Sequence, residues 1–235
     1  MDPQENTIFS LPIYKNGPIG KIYRKIFWEN GFENWNLISI DTVGDGSCLF
    51  HAICNSYFIP YYTETIKDVK ITRKEIVKQV RKEFSEKLSS PISADSNSKT
   101  HYEFINSGKT SEFPIFSEFP EYNYSLKNMQ DQLDSDNNIG YGYIEYISNI
   151  LNKNIYILCK SNKDLYPFCK SDLANIYKND RSSIVLYYMG SNDSRVSYDH
   201  YELVGIMNNG IVDTHFSPDH SFIKFLYKRV LDKSK

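Results

Sequence analysis

The chain has 235 residues, of which 40% are hydrophobic, a length and composition typical of one domain with a sizeable buried core. Its 27 basic and 29 acidic residues give a net charge of −2, which leaves no broad basic field for nucleic acid. No segment approaches the roughly 20 apolar residues that span a bilayer, and four scattered cysteines are too few for a disulfide scaffold. We therefore expect no nucleic-acid partner and no membrane partner.

The N-terminal residues 1–36 are loosely patterned and carry three prolines. They predict an extension that packs on the main domain, with a helix at residues 21–30. The first nine residues, MDPQENTIF, lack the positive region and apolar run of a secretory signal. Together with the cysteine usage, this predicts an intracellular protein, which we expect to be a monomer.

The segment 37–137 is predicted to be mainly helical. LISID, residues 37–41, predicts a strand, and the glycine turn after it leads into a helix from Cys48 to Tyr57. Thr72 and Glu75 have the spacing of a capping box, and apolar residues then recur at positions 76, 80, 84 and 88, which predicts an amphipathic helix. Residues 89–100 predict a surface loop, and residues 101–137 predict short helices.

The C-terminal half is predicted to supply most of the strands. Residues 143–151 predict a helix, and strands are predicted at 154–158, 182–189, 200–206 and 211–216. Asn208, Asn209 and Gly210 form a hairpin signal before the last strand. Helices in the first half and strands in the second predict an α+β fold, with a small central sheet flanked by helices.

Cys48 stands where a flexible turn becomes a helix, a position that suits a nucleophile. A thiol attacks as its thiolate, and the positive end of a helix favours that anion. Asp45, Gly46 and Ser47 form a tight turn whose backbone N–H groups can hold an oxyanion, and the glycine allows the backbone to approach a substrate carbonyl. The competing interpretation is that Ser47 caps the helix and Cys48 is a small buried hydrophobic residue.

His200 is the candidate base for Cys48. Side chains alternate along a strand, so His200 and Glu202 share one face, and the carboxylate can orient the imidazole. A core histidine with satisfied hydrogen bonds is the alternative. His51, His101, His215 and His220 match no zinc spacing with the cysteines, and no C-x-x-C is present, so we predict no metal and no cofactor.

Two segments resemble the ovarian tumour (OTU) domain cysteine proteases, which are deubiquitinases. GDGSCLFHAI, residues 44–53, matches the nucleophile motif of that family, and DHYELV, residues 199–204, resembles its histidine strand. Residues 140–158 are similar to its middle helix and strand. The resemblance covers residues 37–58 and 140–206. It implies an OTU-like, papain-type fold, with a catalytic domain at 37–216 and a C-terminal tail or helix at 217–235.

The resemblance also implies roles for individual residues. Cys48 is the nucleophile, and His200 is the general base and acid. Glu202 stands where the family often has Asp or Asn, and its extra methylene leaves its role as the orienting acid open. Asp45 matches an Asp that shapes the oxyanion loop and serves some members as the acid, and Asp199 is a third choice. The oxyanion hole and substrate-binding positions are Gly46, Ser47 and Tyr201.

The reaction implied is hydrolysis of the isopeptide bond after the C-terminal glycine of ubiquitin, through an acyl-enzyme. The partners implied are ubiquitin and polyubiquitin chains, with other ubiquitin-like modifiers as further candidates. The alternatives are a papain-like protease that cuts ordinary peptide bonds, an inactive OTU-like module that binds ubiquitin, and a domain whose cysteine is structural. The biased composition and compact size predict a large DNA virus or an intracellular microbe as the source.

Overall fold

Within the part of the chain that the structure describes, the main sheet holds eight strands of mixed direction. A computed structural model describes residues 23–93, 98–106, 125–139, 142–166, 177–190 and 200–233. The strands are β1 Tyr23–Lys25, β2 Leu37–Ile40, β3 Thr65–Ile66, β4 Val69–Lys70, β5 Asn154–Cys159, β6 Asp164–Leu165, β7 Ser183–Tyr188, β8 Tyr201–Asn208, β9 Ile211–Asp213 and β10 His215–Phe216. The sheet runs β1-β2-β8-β7-β5-β6, β9 pairs with β8 and β10 with β7, while β3 and β4 form a separate hairpin.

The centre of the sheet is its most apolar part. β5 and β7 run parallel to each other, and nearly every residue in them is buried, as expected of strands covered on both faces. The predicted β8–β9 hairpin is confirmed. Asn209 (φ 51°) and Gly210 (φ 81°) lie in the left-handed region that the tight turn requires.

Helices cover the sheet and carry the remaining core side chains. They are α1 Cys48–Tyr57, α2 Ile59–Thr63, α3 Arg73–Leu88, α4 His101–Asn106, α5 Leu126–Asp134, α6 Gly142–Leu151 and α7 Ser221–Lys233. Within the described residues, none of these helices is long and apolar enough to cross a membrane.

The helix α3 confirms two predictions. Thr72 and Glu75 form the expected capping box, and the apolar residues of the stripe are all buried against the rest of the fold. One further residue on that buried side is charged: Arg81 follows Val77 by four positions and is 1% exposed. The other charged residues of α3 are exposed or half-buried, and Arg81 is the exception.

The predicted helix at residues 21–30 is wrong in its described part. Tyr23–Lys25 is a strand that pairs antiparallel with β2, with Arg24 opposite Ser39. Its residues alternate between exposed and half-buried, a pattern typical of an edge strand with one covered face. The sheet is therefore larger than the small sheet expected. Residues 1–22 of the predicted extension lie outside the described residues, and its boundary at residue 36 stays a prediction.

Candidate active site

Cys48 is the first residue of α1, and its sulfur lies against the beginning of β8. The backbone N–H groups of Tyr201 and Leu49 are directed at the sulfur and lower the pKa of the thiol. Tyr201 immediately follows His200 in the chain. This contact therefore brings the predicted nucleophile to the residue next to the predicted base, although the two motifs belong to distant parts of the sequence.

The helix terminus alone does not make Cys48 acidic. The residue is 2% exposed, and burial raises the pKa of its thiol above the ordinary value. The nearby Asp45 charge raises the pKa further, against the amide contacts that lower it. The expectation that the helix terminus favours the thiolate is thus only part of the balance, and burial is the larger effect.

Asp45 organises the turn that precedes Cys48. Its Oδ1 accepts a hydrogen bond from the Ser47 N–H at 2.9 Å, and its Oδ2 lies 3.4 Å from His51 Nε2 and 3.7 Å from Lys74 Nζ. Both carboxylate oxygens therefore have partners in or beside the turn. This geometry suits the predicted loop-shaping role of Asp45 better than the orientation of His200.

His51 is fully buried one turn after Cys48. Its Nδ1 lies 2.8 Å from the Tyr61 hydroxyl, and burial lowers its pKa to about 4 despite the nearby Asp45 charge. A neutral imidazole between a phenol and a carboxylate is a structural group that fixes Asp45. His51 is therefore not the base for Cys48.

Gly46 is required by a contact within the chain. A Cβ at this position would lie 1.8 Å from the backbone oxygen of Asp136. We expected the glycine to allow close approach to a substrate carbonyl, but the contact the structure shows is with the chain's own backbone. Any larger residue would push the turn away from the segment at 136–137.

Ser47 does not cap α1 as the competing interpretation predicted. Its side chain makes no capping hydrogen bond, and its hydroxyl instead accepts one from Arg81 Nη1 at 3.0 Å. Its N–H is already donated to Asp45. Of the predicted oxyanion residues, Ser47 thus has its amide occupied, and the Cys48 N–H likewise donates to the Asp45 carbonyl oxygen at 3.2 Å. Tyr201 contributes its backbone N–H to the sulfur and accepts a hydrogen bond from Thr42 Oγ1 at 2.6 Å.

His200 lies in a cluster with two carboxylates. One ring nitrogen of His200 and one oxygen each of Asp41 and Glu202 lie within 4.8 Å of one another. Strand register explains the cluster: Ile40 pairs with Leu203, so the next residue, Asp41, comes beside Glu202. His200 and Glu202 share a face as predicted, and Asp41 is a second acid that the sequence analysis did not select.

Arg24 from β1 binds the same two acids. Its guanidinium hydrogen-bonds Glu202 Oε1 and lies 4.0 Å from Asp41 Oδ1. Glu202 is completely buried, and its Oε2 accepts no hydrogen bond from the described residues. That oxygen is therefore available for an imidazole N–H, while Arg24 compensates the buried charge.

Asp41, His200 and Glu202 are residue types that bind metal ions, and they are close enough to share one. The Arg24 guanidinium already occupies the carboxylate face, however. A cation there would have to displace this ion pair, so the donor set does not fit a metal well.

Three residues of this region escaped the sequence analysis. The only local signals were a charged residue on the apolar stripe of α3, for Arg81, and an acid at the end of the LISID strand, for Asp41. Arg24 gave no signal, because its strand was predicted to be a helix. Asp199, the third acid considered, lies outside the described residues.

No family model and no curated protein matches the sequence. Among solved structures, the chain is similar to one described as an ovarian tumour (OTU) domain in complex with ubiquitin, at 15% sequence identity and a TM-score of 0.43, with 91% of each chain covered. A likeness of this size is too weak to assign a family or an activity to this chain.

Proposed function

We propose that this protein is a cysteine deubiquitinase that hydrolyses the bond after the C-terminal glycine of ubiquitin. The observation that carries the proposal is the contact between the Cys48 sulfur and the Tyr201 N–H, which joins the two motif segments at one point. The choice of ubiquitin as substrate rests on the resemblance of residues 44–53 and 199–204 to the OTU motifs.

In the proposed reaction, His200 accepts the proton of the Cys48 thiol as the sulfur attacks the glycine carbonyl. The carbonyl carbon becomes tetrahedral, and the Gly46 N–H stabilises its oxyanion, because the Ser47 and Cys48 N–H groups of the same turn already donate to Asp45. His200 then protonates the leaving lysine amine, and an acyl-enzyme remains. Water, activated by His200, releases the ubiquitin carboxylate and restores the thiol.

The raised pKa of Cys48 gives His200 a specific task. A thiol that is mostly protonated needs a base at the moment of attack, and a buried carboxylate beside the imidazole stabilises the imidazolium that forms. Glu202 is the better candidate for this second role, because its Oε2 is buried and open to a donor while Arg24 holds Oε1. Asp41 is more exposed, with 45% of its side chain accessible.

The first test uses ubiquitin that carries an alkyne at its C-terminus. We expect a covalent adduct with the wild type, and none with Cys48→Ala. Hydrolysis of di-ubiquitin should be lost in Cys48→Ala and should fall by several orders of magnitude in kcat in His200→Ala, since the members of a triad act as a unit. Unchanged labelling of Cys48→Ala would contradict the assignment.

A panel of generic peptides is the matched control for substrate class. Cleavage of these peptides at rates comparable to di-ubiquitin would favour the papain-like alternative. The eight di-ubiquitin linkages, compared in the same assay, would then define the preferred bond.

The second candidate function is a ubiquitin-binding module without hydrolysis. It is favoured by one observation: Cys48 is buried and its thiol has a raised pKa. This candidate predicts that the wild type binds ubiquitin but neither reacts with the alkyne probe nor cuts di-ubiquitin.

A further inference from the structure

Arg81 is an extensively hydrogen-bonded charged side chain near the site, and the proposed reaction does not use it. It belongs to the middle of α3, and its guanidinium makes five hydrogen bonds to two separate segments of the chain. On one side, Nη1 donates to the Gly46 carbonyl oxygen at 3.3 Å and to Ser47 Oγ at 3.0 Å. Both acceptors are in the turn that immediately precedes Cys48.

On the other side, Arg81 binds the end of α5 and the segment after it. Nε donates to the Leu133 carbonyl oxygen at 2.8 Å, and Nη2 donates to those of Gln132 at 2.7 Å and Asn137 at 3.0 Å. Gln132 and Leu133 belong to the last turn of α5, where unpaired carbonyl groups carry the negative end of the helix dipole. A cation is favoured at such a position.

The chemistry of these contacts is specific to arginine. All five acceptors are neutral oxygens, and they surround a planar group whose fork of donors points in fixed directions. The Phe50 ring adds a cation–π contact, with its centroid 5.0 Å from Arg81 Cζ. A lysine has one charged nitrogen and could not reach both sides at once.

The contact of Gly46 with Asp136 holds the turn against the 136–137 segment without the help of Arg81. Because a Cβ on Gly46 would lie 1.8 Å from the Asp136 oxygen, the turn and the 136–137 segment are already in backbone contact. Arg81 bridges the same two segments through its hydrogen bonds to Gly46 and Asn137. The turn therefore has two fixed points, one steric and one hydrogen-bonded, on the residues next to the nucleophile.

We propose that Arg81 is a positioning residue that holds the 45–48 turn in the geometry needed to stabilise the oxyanion. The proposal rests on the proposed function, since it assigns a role in that reaction. Arg81 is 1% exposed and lies behind the turn, so it acts through the backbone and does not contact substrate. Its loss should impair the tetrahedral step more than substrate binding or the reactivity of the sulfur.

The test compares Arg81→Lys and Arg81→Ala with the wild type, and Lys82→Ala serves as the control on the exposed side of the same helix. With a ubiquitin amide substrate, we expect kcat per active site to fall roughly 100-fold in both Arg81 variants, as for small misplacements of reacting groups. KM should change little. The alkyne probe, whose reaction forms no oxyanion at a carbonyl, should label all four proteins at similar rates.

Chemical rescue separates positioning from a general loss of structure. Guanidinium, added to Arg81→Ala at concentrations far below those that denature, should restore part of kcat and should leave Lys82→Ala unaffected. Active-site titration with the probe corrects kcat for any unfolded fraction. An unchanged kcat per active site in Arg81→Lys would overturn the proposal.

Hydrogen exchange of the backbone amides measures whether Arg81 holds the turn and the 132–137 segment together, even if the chain does not hydrolyse ubiquitin. We expect faster exchange in Arg81→Lys confined to the 45–49 and 132–137 segments, with the rest of α3 unchanged. Equal exchange in the two proteins would overturn the proposal. If exchange in these segments depends on Arg81 but the wild type hydrolyses no ubiquitin substrate, the proposed function is refuted, together with the role of Arg81 in that reaction.

Discussion

At the scale of single residues, the two carboxylates beside His200 have different surroundings. Glu202 is buried and bound on one oxygen by Arg24, whereas the Asp41 side chain is nearly half exposed. Buried carboxylates interact more strongly with a neighbouring imidazolium, because water screens them less. Asp45 contributes to the turn instead, through Ser47 and His51.

These surroundings predict an order among the acids. Glu202→Gln should lower kcat about 100-fold or more, because the amide keeps the shape but cannot stabilise the imidazolium. Asp41→Asn should lower kcat by a smaller factor. The measurement is kcat against pH with a ubiquitin substrate.

The acid limb of this profile offers a second readout. Without the Glu202 charge, His200 should hold its proton less tightly, so the limb should move to lower pH in Glu202→Gln. A larger loss in Asp41→Asn than in Glu202→Gln would make Asp41 the orienting acid.

At the scale of elements, α3 supports the site from a distance. Its N-terminus is closed by the Thr72 capping box, in which the Thr72 N–H and hydroxyl both donate to Glu75 Oε2, at 2.9 and 2.7 Å. The Glu75 N–H donates back to the hydroxyl at 3.3 Å. Thr72 lies about two and a half turns before Arg81, so stability and positioning are controlled at different points of one helix.

Thr72→Ala should therefore lower the free energy of unfolding by about 1 kcal/mol, the usual cost of losing an N-cap. Chemical denaturation at neutral pH measures the change, with the exposed Lys78→Ala on the same helix as the control. The kcat of the folded fraction should not move. A loss of kcat comparable to that of the Arg81 variants would show that the helix end and the turn are coupled.

At the scale of the whole molecule, the fully buried His51 and the half-buried His215 link stability to pH. Burial lowers the pKa of His51 and of His215 to about 4, from an ordinary value of 6.5. His215 belongs to β10, and its Nε2 lies 3.1 Å from Lys153 Nζ, so protonation would place two cations together. Lys153 itself has its pKa lowered by burial to about 8.

The direction in which stability changes with pH follows from proton binding in the folded and unfolded chains. Between pH 6.5 and 4 the unfolded chain binds protons at these histidines and the folded chain does not, so stability falls as the pH falls. Each histidine contributes at most roughly 3 kcal/mol over this window. Denaturation at a series of pH values should show the decline, and His215→Gln should make the slope shallower. A free energy of unfolding that does not change between pH 6.5 and 4 would contradict the lowered pKa values of the two histidines.

The sequence by itself determined the features that depend on nearby residues. The α1 and α3 helices, the capping box, the β8–β9 hairpin and the candidates Cys48 and His200 all follow from spacing, turn residues and side-chain alternation. That His200 and Glu202 share one face is also predictable from the sequence, since the alternation of side chains along one strand is local.

Only the tertiary structure decided which distant groups meet. Arg24 reaches Glu202 because β1 pairs with β2 and β2 with β8, and Asp41 joins them through the register that pairs Ile40 with Leu203. The buried role of Arg81 depends on carbonyl groups at residues 46, 132, 133 and 137, none of them near it in the chain. The physical reason is that strand register and helix docking are set by the packing of the whole core, which no short stretch of sequence specifies.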